Sequence, residues 1–355
     1  YNAELCKRGA DALGQALALT ESTNRYELAD FSEYNDIFLL HNSSGKLNGV
    51  KESIFMENIK DYSGRWRWNM VNDFRPQSIE YSGIKCYPTA NYVNYYGMQN
   101  GYPINDMTKA DAESGYDPTH PWKNRDPRFY KTIMFDGVKW KSTGGAGGTA
   151  ELFTGGRESE EANEKKGCFT AYMNSKLCPQ LMNTVDGYKE NNIMILSLMR
   201  LADVYLMYAE ATAVGYNGPK GKAATYSLTA EEALNKIRER AGVAPVLDKF
   251  LGSTADFLSE LRRERAVELS FEGFRFIDLR RWMLLTQYPY TLKTKIEFDR
   301  ADPSDYNYDE PEENAIKNLR EVVLLERKYT DRHYWYPLPK KDVSMYEGFY
   351  QNPGW

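Results

Sequence analysis

The stretch at 256–282, DFLSELRRERAVELSFEGFRFIDLRRW, crowds arginines, carboxylates and apolar bulk into one proline-free run, and few folds can hold it. Phe257, Leu258, Leu261, Val267, Leu269, Phe271, Phe274 and Ile277 supply apolar faces, and Gly273 is the lone glycine. The pattern predicts a helix that turns at Gly273 and starts again. Glu264, Glu268 and Glu272 lie four residues apart, where like charges repel unless cations sit beside them. Arg265, Arg275 and Arg281 stand three residues from Glu268, Glu272 and Asp278, which predicts those pairings. A solvated charged helix accounts for part of such a run, but the interleaved aromatics favour a partly buried ion network, since uncompensated burial of charge is expensive. The stretch offers no nucleophile and no preferred metal geometry, so its expected job is structural.

With 355 residues and 42% hydrophobic content the chain can bury a substantial core, as one large domain or two interlocked regions. No apolar run approaches the roughly 20 residues of a membrane-spanning helix. A net charge of -5 and a pI near 5.5, with no basic stripe, argue against a nucleic-acid partner. Cys6, Cys86, Cys168 and Cys178 show neither a CxxC arrangement nor zinc-ligand spacing; a Cys168–Cys178 disulfide stays open, and the count does not decide the redox compartment. His41, His120 and His333 are too scattered for a metal or acyl-transfer motif. The chain starts at Tyr1 without an apolar leader, so it reads as mature, truncated or incompletely represented, with export and lipid attachment both open.

In chain order, 3–19 reads as a helix with Leu5, Ala12, Ala16 and Leu19 on one stripe, weakened by Gly9 and Gly14. A second short helix is expected at 33–40, and 53–59 fits strand or helix. Between 60 and 109 aromatics fall among Asn, Gly and Pro, which predicts ordered loops; such rings either cover a core or stack on sugar faces while nearby polar groups bind hydroxyls. NRDPRF at 124–129 predicts a constrained loop held by Arg125, Asp126 and Arg128. The glycines at 144–148 lack the lysine and hydroxyl of a phosphate-binding loop and read as a mobile excursion. Helical spacing returns at 193 with burial on several sides, local polar contacts are expected for Arg200, Asp203 and Glu210, and Gly215–Gly221 breaks the helix. Thr229 and Glu232 have capping-box spacing for a partner helix that Gly242 stops. After Pro289 a polar excursion is expected, where Asp299, Asp302, Asp305, Asp309 and Glu310 form a solvated acidic loop or, less simply, a structural calcium site; no other cofactor is indicated. A last helix is expected at 316–327 and an ordered tail packed by aromatics at 334–355.

RLADVYLMYAEA at 200–211, LTAEEALNKIRERAGV at 228–243, ELRRERAVELSFEGFRFIDLRRW at 260–282, YPLPKKDV at 336–343 and QNPGW at 351–355, with GYPI at 101–104 and NRDPRF upstream, resemble the RagB/SusD family of outer-membrane nutrient-binding lipoproteins in order and combination. The resemblance implies a mainly α fold, a SusD-like core of tetratricopeptide-type helix pairs with long irregular loops. It implies that 1–192 holds the later part of the helical core plus the aromatic loop region, and 193–355 the C-terminal helical region, after N-terminal repeats and a lipidated cysteine that lie outside this chain. It further implies surface-exposed, lipid-anchored life at the outer membrane, beside a TonB-dependent SusC-like transporter, with non-enzymatic capture of a glycan. On loop composition and this resemblance, Trp66, Trp68, Tyr92, Tyr95, Tyr96 and Trp122 are the expected aromatic contacts, and Arg65, Asn69 and Asn94 the polar ones. The alternatives are peptide capture through backbone and charge pairing, a purely structural helical adaptor, and a glycoside hydrolase, whose two carboxylates would have to converge at roughly 5 to 10 Å.

Overall fold

A computed structural model of the chain describes residues 1–40, 49–57, 87–142, 146–177, 186 and 193–355. Its helices, in chain order, are α1 (Ala3–Thr23), α2 (Ala90–Val93), α3 (Pro127–Thr132), α4 (Leu201–Gly215), α5 (Ala230–Ala241), α6 (Thr254–Glu268), α7 (Phe274–Arg281) and α8 (Lys340–Val343). Four antiparallel two-stranded sheets join them: β1 (Leu39–Leu40) with β5 (Ile193–Met194), β2 (Ser53–Glu57) with β6 (Leu196–Arg200), β3 (Ile133–Met134) with β4 (Met173–Asn174), and β7 (Leu292–Arg300) with β8 (Ile316–Glu326). The fold is mainly helical, with short sheets and long loops between.

Two large cores organise these elements. In the first, α4 is the hub, with α1, α5 and α6 packed around it. Ala202, Leu206, Tyr208, Ala209 and Ala213 of α4 meet Ala10 and Leu17 of α1, Leu234 and Ile237 of α5, and Phe257 and Leu261 of α6. Helix α1 can approach so closely because Gly14 has no side chain: a Cβ there would lie 2.6 Å from Thr225 Oγ1 and 2.9 Å from Tyr226 Cβ. The glycine that weakens the helix in isolation is what lets it dock. Thr229 caps α5 by accepting from the Glu232 amide at 3.2 Å, and the Glu232 carboxylate accepts from the Thr229 amide at 2.8 Å. Gly242 ends the helix at φ 72°. Replacing Thr229 by Ala is expected to cost about 1 kcal/mol in a denaturation midpoint measured at unchanged slope.

The second core is aromatic. Tyr96, Trp122, Phe129, Phe135 and Tyr172, from loops and α3, pack with Val267 of α6 and with Ile296, Phe298 and Ile316 of the β7–β8 hairpin. Residues before and after position 192 therefore share both cores.

Several expectations give way here. Residues 193–200 are strands, and the helix begins only at Leu201, where Arg200 turns its side chain into the interior. Residues 31–37 form a 3-10 helix rather than an α-helix, followed by β1. The first part of the polar excursion after Pro289 and the last helix are together a β-hairpin, with Thr294, Ile296, Phe298 and Arg300 alternating inward, while Asp302, Asp305, Asp309 and Glu310 stand exposed in the loop between the strands, as expected. Ile316, Val322 and Val323 favour strand over helix once a partner strand is present. The tail is held by rings, as expected, and by amides as well: Tyr334 is buried, Trp355 lies 5.6 Å from the His333 ring, and the Gln351 side chain pairs with both backbone groups of Leu338, at 2.7 and 2.9 Å. Cys168 is a buried free thiol, and Cys86, Cys178 and the glycines 144–145 lie outside the described residues.

The charged stretch does fold into a helix, a turn at Gly273 with φ 87°, and a second helix, and its network is buried. Glu268, fully enclosed, accepts from Arg200 at 2.7 Å, from Arg128 at 2.9 Å and from Arg240. Glu264 pairs with Arg128 and, at 2.9 Å, with Arg238, while Glu272 pairs with Arg200 at 2.8 Å and Lys176 at 2.7 Å. Of the three expected pairings only Arg281–Asp278 forms, at 2.7 Å. Arg265 is drawn instead to Asp203 at 2.7 Å and Asp278 at 3.0 Å. Glu210, expected to bond locally, accepts from Arg281 at 2.6 and 2.7 Å across 71 residues.

Candidate functional site

The loop that carries most of the described site candidates is built backwards from two arginines. Arg125, 1% exposed, donates to the carbonyls of Val93, Tyr96, Gly97 and Pro121 at 2.9 to 3.2 Å, and so fixes the chain that follows α2. Asp126 accepts from the Arg128 amide at 2.9 Å and holds its guanidinium at 2.7 Å, and Arg128 reaches on to Glu264 and Glu268 of α6. NRDPRF is thus a clamp between loop and helix: the side-chain bonds expected of a constrained loop are present, and Arg128 adds long-range pairs that its sequence does not display.

That clamp sorts the aromatics. Tyr96 is fully enclosed and donates to Ser270 Oγ at 2.7 Å, and Trp122, also enclosed, stacks on Phe135 at 5.0 Å with its indole N–H 3.3 Å from the Tyr172 hydroxyl. Neither offers a face to a ligand; both pack the second core, because the clamp pulls their loop inward. Tyr92 is partly buried, donates to the Ala266 carbonyl at 2.6 Å, and sets its ring against Tyr95 at 5.7 Å and Phe271 at 6.1 Å. Asn94 has a buried Oδ1 without a hydrogen-bond partner. Arg65, Trp66, Trp68 and Asn69 lie outside the described residues.

Tyr92 opens onto a recess of about 400 Å³. Tyr87, Pro88 and Thr89 form its side with Tyr92, Phe271, Gly273, Arg275 and Phe276 bring in the start of α7, and Lys293 and Arg327 close it from the hairpin. Tyr95 sits behind, its ring 4.8 Å beneath the Arg275 guanidinium. Burial, Arg327 and Arg275 push the Lys293 ammonium down to about 8. Burial pushes the Tyr92 phenol up. A second recess, of about 510 Å³, is lined by Gln99, Asn100, Ser114, Asn124 and backbone around Gly242, with no ring in its wall. Among the described residues no carboxylate lines either recess, so the acid pair that glycoside hydrolysis requires is not assembled in them.

Of the residues expected from the sequence only Tyr92 lines the first recess, and Phe271, Phe276, Lys293 and Arg327, which line it too, were not among the expected contacts. Phe271 and Phe276 flank the Gly273 break, and an aromatic on each side of a helix interruption was the available signal. Lys293 and Arg327 come from the hairpin mistaken for a loop and a helix.

Residues 51–355 match the model of the SusD family. Among solved structures the chain resembles a SusD-like protein from Bacteroides fragilis NCTC 9343, with 22% identity over 98% of this chain and 62% of that one and a TM-score of 0.69. It also resembles a second SusD-like protein from the same organism, with 20% identity over 96% of this chain and 60% of the other and a TM-score of 0.61. The chain therefore spans 60 to 62% of the length of these structures, and at such identity they speak for the fold. No curated protein matches it. The family match runs through the clamp, the buried network and the hairpin that frame the recess, and with the shared helical architecture it places the chain: it belongs to the SusD family.

Proposed function

We propose that the chain captures a glycan at the cell surface without converting it, as part of an outer-membrane, lipid-anchored protein that hands its ligand to a TonB-dependent SusC-like transporter. The recess at Tyr92 carries this reading: the rings of Tyr92, Phe271 and Phe276 surround polar groups in a volume fit for one or two sugar rings. Aromatic faces remove the apolar side of a sugar from water, and neighbouring donors select its hydroxyls. One solved structure of the same fold is described as a SusD-like carbohydrate binding protein, which supports the same class of ligand.

Calorimetry of the chain against purified oligosaccharides and polysaccharides, with peptide mixtures in comparison and product analysis in parallel, tests this. Saturable glycan binding without products supports it. Binding of peptides alone, or appearance of cleaved glycan, overturns it. Phe276, at 36% exposure, is the wall residue whose removal should disturb the fold least. Phe276→Ala is expected to weaken glycan binding about tenfold, the loss of one stacking platform worth roughly 1 to 1.5 kcal/mol, with the melting temperature within a degree or two of the parent. A variant that binds as tightly as the parent moves the ligand elsewhere.

A further inference from the structure

We propose that the recess takes an acidic glycan, seating a uronate carboxylate or sulfate ester between Arg275, Lys293 and Arg327 while its ring lies against Tyr92, Phe271 and Phe276. This rests on the glycan-capture reading and narrows its substrate class.

The chain carries a net charge of -5. Buried Arg128, Arg200 and Arg265 each meet two or more carboxylates. The cations at the recess do not. Among the described residues none of Arg275, Lys293 and Arg327 forms an ion pair, and Nη1 of Arg275 is buried with no hydrogen-bond partner. Glu272, next to the recess in sequence, is turned away to Arg200 and Lys176.

A second feature converges on the same place. Helix α7 starts at the recess wall after Gly273, with no side-chain cap and no acid in its first turn. A Cβ on Gly273 would meet nothing within 4 Å, so the helix start is open. Uncapped amides at a helix N-terminus and the positive end of its dipole attract anions. Three unpaired cations and an open helix start create a positive field in a partly desolvated hollow, where an anionic group gains more than at a free surface. The three rings select what carries the charge. A free phosphate has no apolar face to stack, and an acidic peptide presents no ring of carbon-bound hydrogens. A charged sugar presents both.

Lys293 gives the proposal its pH signature. The titratable and charged groups facing it are Tyr87, Tyr92, Arg275 and Arg327. Tyr87 spends its hydroxyl on the Lys166 carbonyl at 3.0 Å and Tyr92 on that of Ala266 at 2.6 Å, and the arginines stay charged. With the lysine near 8, affinity for the acid should fall as pH rises from 7 to 9.5, because the ligand stays ionised while Lys293 loses its proton.

The test is calorimetry of the full chain with oligogalacturonate and with its fully methyl-esterified form, which keeps the rings and removes the charge. The free acid should bind at least about tenfold tighter at low salt, with the gap closing as salt is raised. Lys293→Gln and Arg327→Gln should each narrow the gap between acid and ester at pH 7, by weakening the acid form more than the ester. Lys293→Arg should keep the acid form at pH 7 and lose the pH dependence, which a merely structural lysine would not show. Ester and acid binding alike, or a pH profile unchanged in Lys293→Arg, overturns the acidic-glycan assignment and leaves glycan capture standing. Displacement of the acid sugar by equimolar sulfate or by an acidic peptide overturns it in favour of a general anion site. No binding of any glycan, charged or neutral, sinks the capture reading and this inference together.

Discussion

Glu268→Gln should destabilise the chain by about 3 to 5 kcal/mol, the cost of removing one partner from a buried charge cluster and leaving the others unmatched. Glu268 is 0% exposed, and its two carboxylate oxygens serve Arg128, Arg200 and Arg240. A glutamine of the same shape offers one acceptor where three guanidinium donors converge, and turns an amide N–H₂ toward one of them. Repacking does not relieve this, because the four groups are held by separate elements: Arg128 by the NRDPRF clamp, Arg200 at the start of α4, Arg240 at the end of α5, and Glu268 at the end of α6. The loss should appear in urea denaturation as a lower midpoint at unchanged slope. A double variant, Glu268→Gln with Arg240→Gln, should recover part of it, since it removes one of the stranded charges. A loss below 1 kcal/mol for Glu268→Gln would mean that the cluster is hydrated and that its charges already lean on water.

The same cluster shows which parts of the fold a sequence displays. Thr229 with Glu232, Gly242 and the Gly273 break are local: each is decided by bonds within four or five residues, and each appears where the pattern places it. The clamp at 124–129 is legible for the same reason, since Asp126 and Arg128 meet two residues apart. The partners of the arginines are not local. Arg275 and Glu272 sit three apart but straddle Gly273, so the helical rule that would pair them does not cross the break, and Glu272 turns to Arg200 while Arg275 faces the recess. Arg265 and Glu268 share one helix, yet Asp203 and Asp278 reach Arg265 from two other elements and win. The β7–β8 hairpin was hidden because its outward positions are Lys293, Lys295, Glu297 and Asp299. Charge on every second residue is what an exposed strand face looks like, and among acids and lysines it was read as loop.

For the site the division is sharper. Tyr92, Tyr96 and Trp122 come from equally loop-like sequence, and nothing local tells a ring in a core from a ring on a wall. The difference is made by Arg125, whose four backbone acceptors draw the chain around Tyr96 and Trp122 inward. Tyr92 stays at the edge because α2 packs on β7 and the start of α7 leaves a gap there. A recess whose walls come from positions as far apart as 87 and 327 is a property of the closed fold, so its cations could be seen in the sequence but not seen together.

Acid should unfold the chain in a narrow window, and the carboxylates of the buried network set where. Burial alone would raise the Glu264 carboxyl, but Arg128 and Arg238 outweigh it and hold the group down to about 2. Burial is likewise overridden by Arg240, Arg200 and Arg128 at Glu268, which lies well below the usual carboxylate range, and by Arg200 and Lys176 at Glu272. In the unfolded chain these groups titrate near 4.5. A carboxylate depressed on folding stabilises the native state fully above its unfolded value and loses that contribution as pH falls toward its folded one. Stability should therefore stay level with respect to these groups down to about pH 5, and fall steeply between about 4.5 and 2 as protons bind the unfolded chain first. For Glu264 alone the difference is on the order of 3 kcal/mol, and since the three acids share Arg128 and Arg200 their contributions are coupled, the protons being taken up together as the chain unfolds. The measurement is urea denaturation at pH steps from 7 to 3. In Glu264→Gln the curve should start lower at pH 7 and fall less toward pH 3, so that the two proteins converge in acid. Parallel curves would place the acid sensitivity outside the network that ties α4, α5 and α6 to the clamp.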